Sequence, residues 1–147
     1  MDTKTPEVIL YKPDFSQMEL QLATEIMAGF PSPADDYMHE SLDLKDLLRH
    51  PESTFYGRIA GDSMIEAGIR EGDLIVIDRS LVAEDGDIVV AWVNDGFTIK
   101  YLDRSHKAEG YIELRPANRD FQPIRIEAGD NFIVWGVVIW SIKMWRH

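Results

Sequence analysis

The chain contains no cysteine. That excludes a disulfide framework and a thiolate metal site, and it agrees with a reducing, cytoplasmic setting. Long apolar runs are also missing: no stretch approaches the roughly 20 apolar residues that a bilayer span requires. The first seven residues lack the basic region and apolar core of a secretion signal, so no membrane association is expected. Basic residues are scarce, with 15 Lys and Arg against 26 Asp and Glu and a net charge of -11. The excess is spread, with 10 acidic and 4 basic residues in positions 1–50 and 16 and 11 in the remainder. Such a surface repels phosphate backbones, which argues against direct DNA binding and for protein partners, although plain solubility accounts for the same charge. The glycines stand alone as turn residues, with no phosphate loop, nucleotide fingerprint or internal repeat, and no cofactor is expected. His39, His50, His106 and His147 are scattered, with no carboxylate or cysteine cluster at ligand spacing, and no metal is expected. Trp92, Trp135, Trp140 and Trp145 read as core or interface residues rather than a base-stacking platform, given the charge. What is present is 147 residues with 45% apolar content, enough for one core plus a tail.

Two short stretches carry chemistry. Ser53–Ala60 is rich in aromatic and β-branched residues and reads as a strand broken by Gly61. After it, Ser63-Met64-Ile65-Glu66-Ala67-Gly68 has room for one helical turn closed by a glycine, which puts Ser63 near unpaired backbone N–H groups able to hold an oxyanion. Taken alone, Ser63 reads first as a cap for that turn, and only its context overturns that reading. The second stretch is Asn94-Asp95-Gly96-Phe97-Thr98-Ile99-Lys100-Tyr101-Leu102, where a turn signal precedes an alternating strand whose Thr98, Lys100 and Leu102 share a face. A lysine there either reaches solvent or is buried. Burial lowers its pKa and makes a neutral amine available as a base. A serine and such a lysine form a nucleophile and base without histidine or aspartate.

In order and spacing, Gly61-Asp62-Ser63-Met64, Gly72-Asp73-Leu74, Gly86-Asp87-Ile88-Val89 and Phe97-Thr98-Ile99-Lys100 resemble the LexA/UmuD family of self-cleaving serine-lysine peptidases. Ala28-Gly29-Phe30-Pro31-Ser32-Pro33-Ala34-Asp35-Asp36-Tyr37 is similar to the cleavage segment of its UmuD branch, the SOS mutagenesis proteins, and Gly136-Val137-Val138-Ile139 resembles the closing strand. The likeness covers nearly the whole chain. It departs at Ala28, where the best-known mutagenesis member has cysteine before the scissile glycine and the LexA-type repressors have alanine. The resemblance implies a mainly β fold of antiparallel sheets with a short helix and an extended N-terminal arm. It also implies Ser63 as nucleophile, Lys100 as general base, the backbone N–H groups of Ser63 and Met64 as oxyanion donors, and a scissile bond between Ala28 and Gly29. The partners it implies are a second copy of the chain, a RecA nucleoprotein filament that promotes cleavage, and a UmuC-like Y-family DNA polymerase.

Along the chain, residues 1–28 read as a cleavable arm with a short strand at Val8-Ile9-Leu10-Tyr11. The apolar spacings of Met18–Met27 fit both helix and strand. We favour an extended form, because a protease reads its substrate as a strand. Gly29–Asp36 is a kinked linker with two prolines, and residues 29–50 also hold a short helix, Leu44–Arg49, capped by Asp43. Residues 51–147 form the β domain, with strands expected at Leu74–Ile77, Ile88–Val93, Phe97–Leu102, Tyr111–Leu114, Ile124–Ile126 and Phe132–Trp145. The last run is apolar on both faces and requires a central place in the sheet or cover from a partner subunit. Three functional classes fit: an autopeptidase whose product serves an error-prone polymerase, a LexA-like repressor or sensor fragment, and a non-catalytic interaction module. The repressor requires a helix-turn-helix before the cleavage site, which an acidic arm carrying Pro6 and Pro13 does not supply.

Overall fold

A computed structural model describes residues 7–12, 20–23, 38–42 and 48–146. They fall into two compact units, one made of residues 7–12 with 53–146, the other of the described residues between 13 and 52. The arm boundary expected at residue 28 thus differs from this division: the chain's first strand belongs to the β domain. The bond between Ala28 and Gly29 and the linker after it lie outside the described residues. So does most of the expected helix at 44–49, and its described residues, Leu48 and Arg49, are not helical.

In the second unit, β2 (Leu20–Ala23) and β3 (Met38–Leu42) pair antiparallel. The described part of the ambiguous segment is therefore extended, as expected. The larger unit holds eight strands, β1 (Val8–Tyr11), β4 (Thr54–Ile59), β5 (Leu74–Asp78), β6 (Ile88–Val93), β7 (Gly96–Asp103), β8 (Tyr111–Arg115), β9 (Ile124–Glu127) and β10 (Phe132–Ile142), in a single sheet. Its order is β1-β4-β5-β10-β6-β7-β8-β9 and every pairing is antiparallel.

Alternation along the strands splits the apolar residues between two clusters, because successive side chains point to opposite faces. Val8, Ile59, Met64, Ile75, Ile77, Val90 and Ile99 form one. Val89, Ala91, Val93, Leu102, Leu114, Ile126 and Val137 form the other. Strand β10 takes a central place between β5 and β6, and its middle, Gly136 and Val137, is buried while Ile133 stays exposed. Gly136 makes the close packing there feasible, since a Cβ on it would stand 2.5 Å from Ile77 Cγ2. The far end of the segment stays open: Trp140, Ile142, Met144 and Trp145 are all exposed.

The hairpin between β6 and β7 sets the register of the site. Asn94 and Asp95 both take positive φ, 50° and 65°, and Val93 pairs with Gly96, so a two-residue turn of the kind that favours Asn and Asp joins the strands. With that turn fixed, Thr98 lies opposite Ala91 and Lys100 opposite Val89, both in the fully covered part of the sheet.

Candidate active site

Ser63 follows β4 across Gly61, whose φ of 106° suits only glycine without strain. A single 3-10 turn, Ile65–Ala67, follows, closed by a left-handed Gly68 whose N–H reaches Ile65 O. Ser63 does not cap this turn: the residue preceding it is Met64, and no side chain caps it. The serine's own backbone is held from the loop after β8. Ala117 N–H donates to Ser63 O at 2.8 Å, Glu66 N–H donates to Ala117 O at 2.7 Å, and Asn118 Nδ2 donates to Asp62 O at 2.8 Å. Met64 fills the first apolar cluster at 1% exposure, anchoring the residue after the serine. Among the described residues, the N–H groups of Ser63 and Met64 have no backbone acceptor.

Lys100 and Ser63 are each 4% exposed, and Lys100 Nζ lies 3.0 Å from Ser63 Oγ. The structure therefore buries the lysine and joins it to the serine. Three further acceptors surround Nζ: Thr98 Oγ1 at 2.6 Å, Ile99 O at 3.1 Å and the Glu7 carboxylate at 3.1 and 3.2 Å. Glu7 also accepts from the Ser63 hydroxyl and, at 2.7 Å, from Thr98 Oγ1. Burial pushes the Lys100 pKa down, while the charge of Glu7 and its hydrogen bond pull it back up. With Glu7 in place its charge offsets part of the desolvation; without it, desolvation acts unopposed toward a neutral amine.

Residues 21–139 match the Peptidase S24-like family. The chain belongs to that family, and its buried serine and lysine sit in the matched region. Protein MucA of Salmonella typhimurium is 40% identical over 119 residues, covering 80% of this chain and 79% of its own. Protein ImpA of Escherichia coli is 38% identical over 136 residues, covering 91% and 90%. The LexA repressor of Bordetella pertussis is 34% identical over 142 residues, which is 97% of this chain but 64% of that longer protein. Family membership makes a peptidase the established class, and the mainly β, antiparallel architecture agrees with the fold that the sequence motifs imply.

Sequence reasoning missed three members of the constellation. Thr98 was within reach, because it stands two residues before Lys100 on the same strand face. Glu7 and Asn118 were not, since Glu7 reaches Ser63, and Asn118 reaches Asp62, from 56 residues away with no local pattern to mark either.

One expectation is corrected. His106 is not remote from carboxylates: Nδ1 lies 3.2 Å from Glu109 and Nε2 3.4 Å from Glu113, and it forms with Asp103 and Glu113 a trio whose ligand atoms lie within 4.8 Å of one another. Asp103 and Glu113 are paired across β7 and β8, which is what gathers them. Arg115 Nη1 already faces both carboxylates, 3.6 Å from Asp103 and 3.7 Å from Glu113. The trio thus has a resident cation. Among the described residues no helix is long and apolar enough to cross a membrane.

Proposed function

We propose that the protein is an SOS-response autopeptidase that cuts its own chain between Ala28 and Gly29. The observation that carries this reading is the 3.0 Å approach of Lys100 Nζ to Ser63 Oγ in a site where both are buried. Neutral Lys100 takes the proton from Ser63 Oγ as the oxygen attacks the carbonyl carbon of Ala28. The backbone N–H groups of Ser63 and Met64 stabilise the resulting oxyanion. The C–N bond then breaks, the Gly29 nitrogen leaves with the proton from Lys100, and an acyl ester remains on Ser63. A water that gives its proton to Lys100 hydrolyses the ester, regenerating the serine and leaving a product that begins at Gly29. No metal or cofactor enters these steps.

Because substrate and site belong to one chain or one dimer, effective concentration replaces tight recognition, and a rarely adopted arm conformation keeps the reaction slow. A RecA filament on single-stranded DNA stimulates cleavage by favouring the cleavable conformation, a shift of population. The truncated product serves in the cytoplasm as an accessory subunit of an error-prone, UmuC-like translesion polymerase. Similarity to MucA and ImpA, at 40% and 38% identity over most of their lengths, supports this reading over a LexA-like repressor. The exposed Trp140, Ile142, Met144 and Trp145 at the end of β10 supply the apolar surface for a homodimer.

The test is incubation of the full chain at alkaline pH or with activated RecA, followed by N-terminal sequencing. The expected fragment begins Gly29-Phe30-Pro31, and Gly29→Glu blocks its formation without unfolding the protein. A fragment starting elsewhere overturns the assignment.

A further inference from the structure

One carboxylate sits inside the reaction site and has no part in the chemistry proposed above. Glu7 receives three side-chain donors at once, the hydroxyls of Ser63 and Thr98 and the ammonium of Lys100. Its side chain is 22% exposed against 5% for Lys100, so it reaches into the site from the solvent side. We propose that Glu7 is the resident occupant of the reaction site, a carboxylate delivered by β1 that excludes the scissile carbonyl until β1 is withdrawn. The inference rests on the self-cleavage reading, because it names what that reaction has to displace.

Geometry and delivery both support it. A carbonyl carbon poised for attack stands about 3 to 3.5 Å from the nucleophilic oxygen. A carboxylate oxygen already bonded to Ser63 Oγ occupies that approach. The serine proton is then directed at Glu7 and not at Lys100, whose Nζ is itself turned to the same carboxylate. The carboxylate is placed by backbone pairing, not by chance. Ala60 N–H donates to Glu7 O at 2.7 Å, and Val8, Ile9, Leu10 and Tyr11 continue in register with Ile59, Arg58, Gly57 and Tyr56 of β4. Val8 is 2% exposed in the first apolar cluster, and it packs so closely on β4 that a Cβ at Gly57 would stand 2.7 Å from its Cγ1. The glycine is thus the seat of the strand that carries the stopper. Since β1 is an edge strand of four residues, its release leaves the remaining seven-stranded sheet paired as before.

A different role for the same contact makes the opposite prediction. If Glu7 were itself the base that activates Ser63, its removal would slow the serine. The experiment compares full-length wild type, Glu7→Ala and Glu7→Gln at one neutral pH, with circular dichroism and thermal melts to confirm folding. Two rates are read: appearance of the Gly29 fragment, and covalent labelling of Ser63 by a fluorophosphonate, with Ser63→Ala as blank. Glu7→Ala is expected to raise both by about tenfold or more, as removing an occupant raises the competent fraction. Glu7→Gln, which keeps the volume without the charge, is expected between wild type and Glu7→Ala. Labelling of folded Glu7→Ala at or below the wild-type rate overturns the proposal, whatever the fragment does. Faster labelling with no Gly29 fragment from any variant upholds the occupant and overturns the cleavage assignment instead. A Gly29 fragment from wild type with unchanged labelling in Glu7→Ala does the reverse.

Discussion

Strand β7 carries two charged clusters within a few residues of each other, and they behave differently. At Lys100 the groups are Glu7, Ser63 and Thr98, with the lysine and both hydroxyls buried. At Asp103 they are His106, Glu113 and Arg115, with 34% of the His106 side chain and 49% of the Arg115 side chain exposed. In the first cluster desolvation is the largest influence and pushes Lys100 down. In the second, Asp103 is held below the usual carboxylate range chiefly by the Ser105 hydroxyl and backbone N–H, with Arg115 and His106 adding less. A unit-charge pair at 4 Å is worth about 1 kcal/mol in bulk water and about 4 kcal/mol near a protein surface with an effective dielectric constant of 20. Charged and polar side chains therefore couple strongly where water is excluded and form an ordinary surface network where it is not.

The largest expected effect separates the clusters outright. Ser63→Ala should abolish formation of the Gly29 fragment, because nucleophile and base serve the same step. His106→Ala should change the rate by no more than about twofold, as surface substitutions away from a site usually do. Quantified gels of the two variants beside wild type decide it, and a residual fragment from Ser63→Ala free of contaminating protease would remove the serine from the mechanism.

The next effect is a pH dependence. Lys100 must be neutral to act, so cleavage should rise with pH and the rise should be centred below the usual lysine pKa of about 10.4. The same depression carries a sign for stability. The folded state disfavours the proton relative to the unfolded chain, so the lysine costs stability below its folded pKa, and that cost shrinks as pH climbs from the folded to the unfolded value. Lys100→Ala should flatten the rate profile between pH 6 and 11. An alkaline rise preserved in Lys100→Ala would exclude the lysine as base. Thr98→Val should cost less, slowing cleavage by about tenfold to a hundredfold. It deletes the 2.6 Å hydrogen bond that orients Nζ but leaves the base in place. A pH profile of unchanged shape with a lower plateau would mark a positioning role.

Much of this comparison was legible in the sequence, and the limits are physical. Alternating β-branched runs marked β5 to β10 with ends off by a few residues. Asn94-Asp95 marked the turn that fixes the Lys100 register. Ser63 and Lys100 were visible because each sits beside a glycine-bearing turn in a recognisable series. Strand β3, Met38-His39-Glu40-Ser41-Leu42, was not, since it has no β-branched residue and owes its form to pairing with β2. Glu7 was illegible because its role depends on where β1 docks. The His106 trio was only half hidden: Asp103 lies three residues before the histidine, and a correct pairing of β7 with β8 brings in Glu113.

The smallest effect tests whether the exposed cluster is as inert as its wetness implies. Arg115 faces Asp103 and Glu113 at 3.6 and 3.7 Å, beyond the best hydrogen-bonding distance, and its side chain is half exposed. Exposed pairs of this kind contribute little, and salt screens them further. Arg115→Ala should therefore shift the urea midpoint only slightly at neutral pH, with the difference fading in about 1 M salt. The Asp103 contribution should persist in that variant, because Ser105 and not Arg115 is its main partner. With its folded pKa depressed, that contribution is present above the unfolded carboxylate value and is lost as pH falls through the folded one. Urea melts of wild type, Arg115→Ala and Ser105→Ala from pH 7 down to pH 3 read both effects. If Arg115→Ala removed the acid dependence and Ser105→Ala kept it, the arginine would be the partner that matters, and the contrast between the two clusters would narrow to a difference of degree.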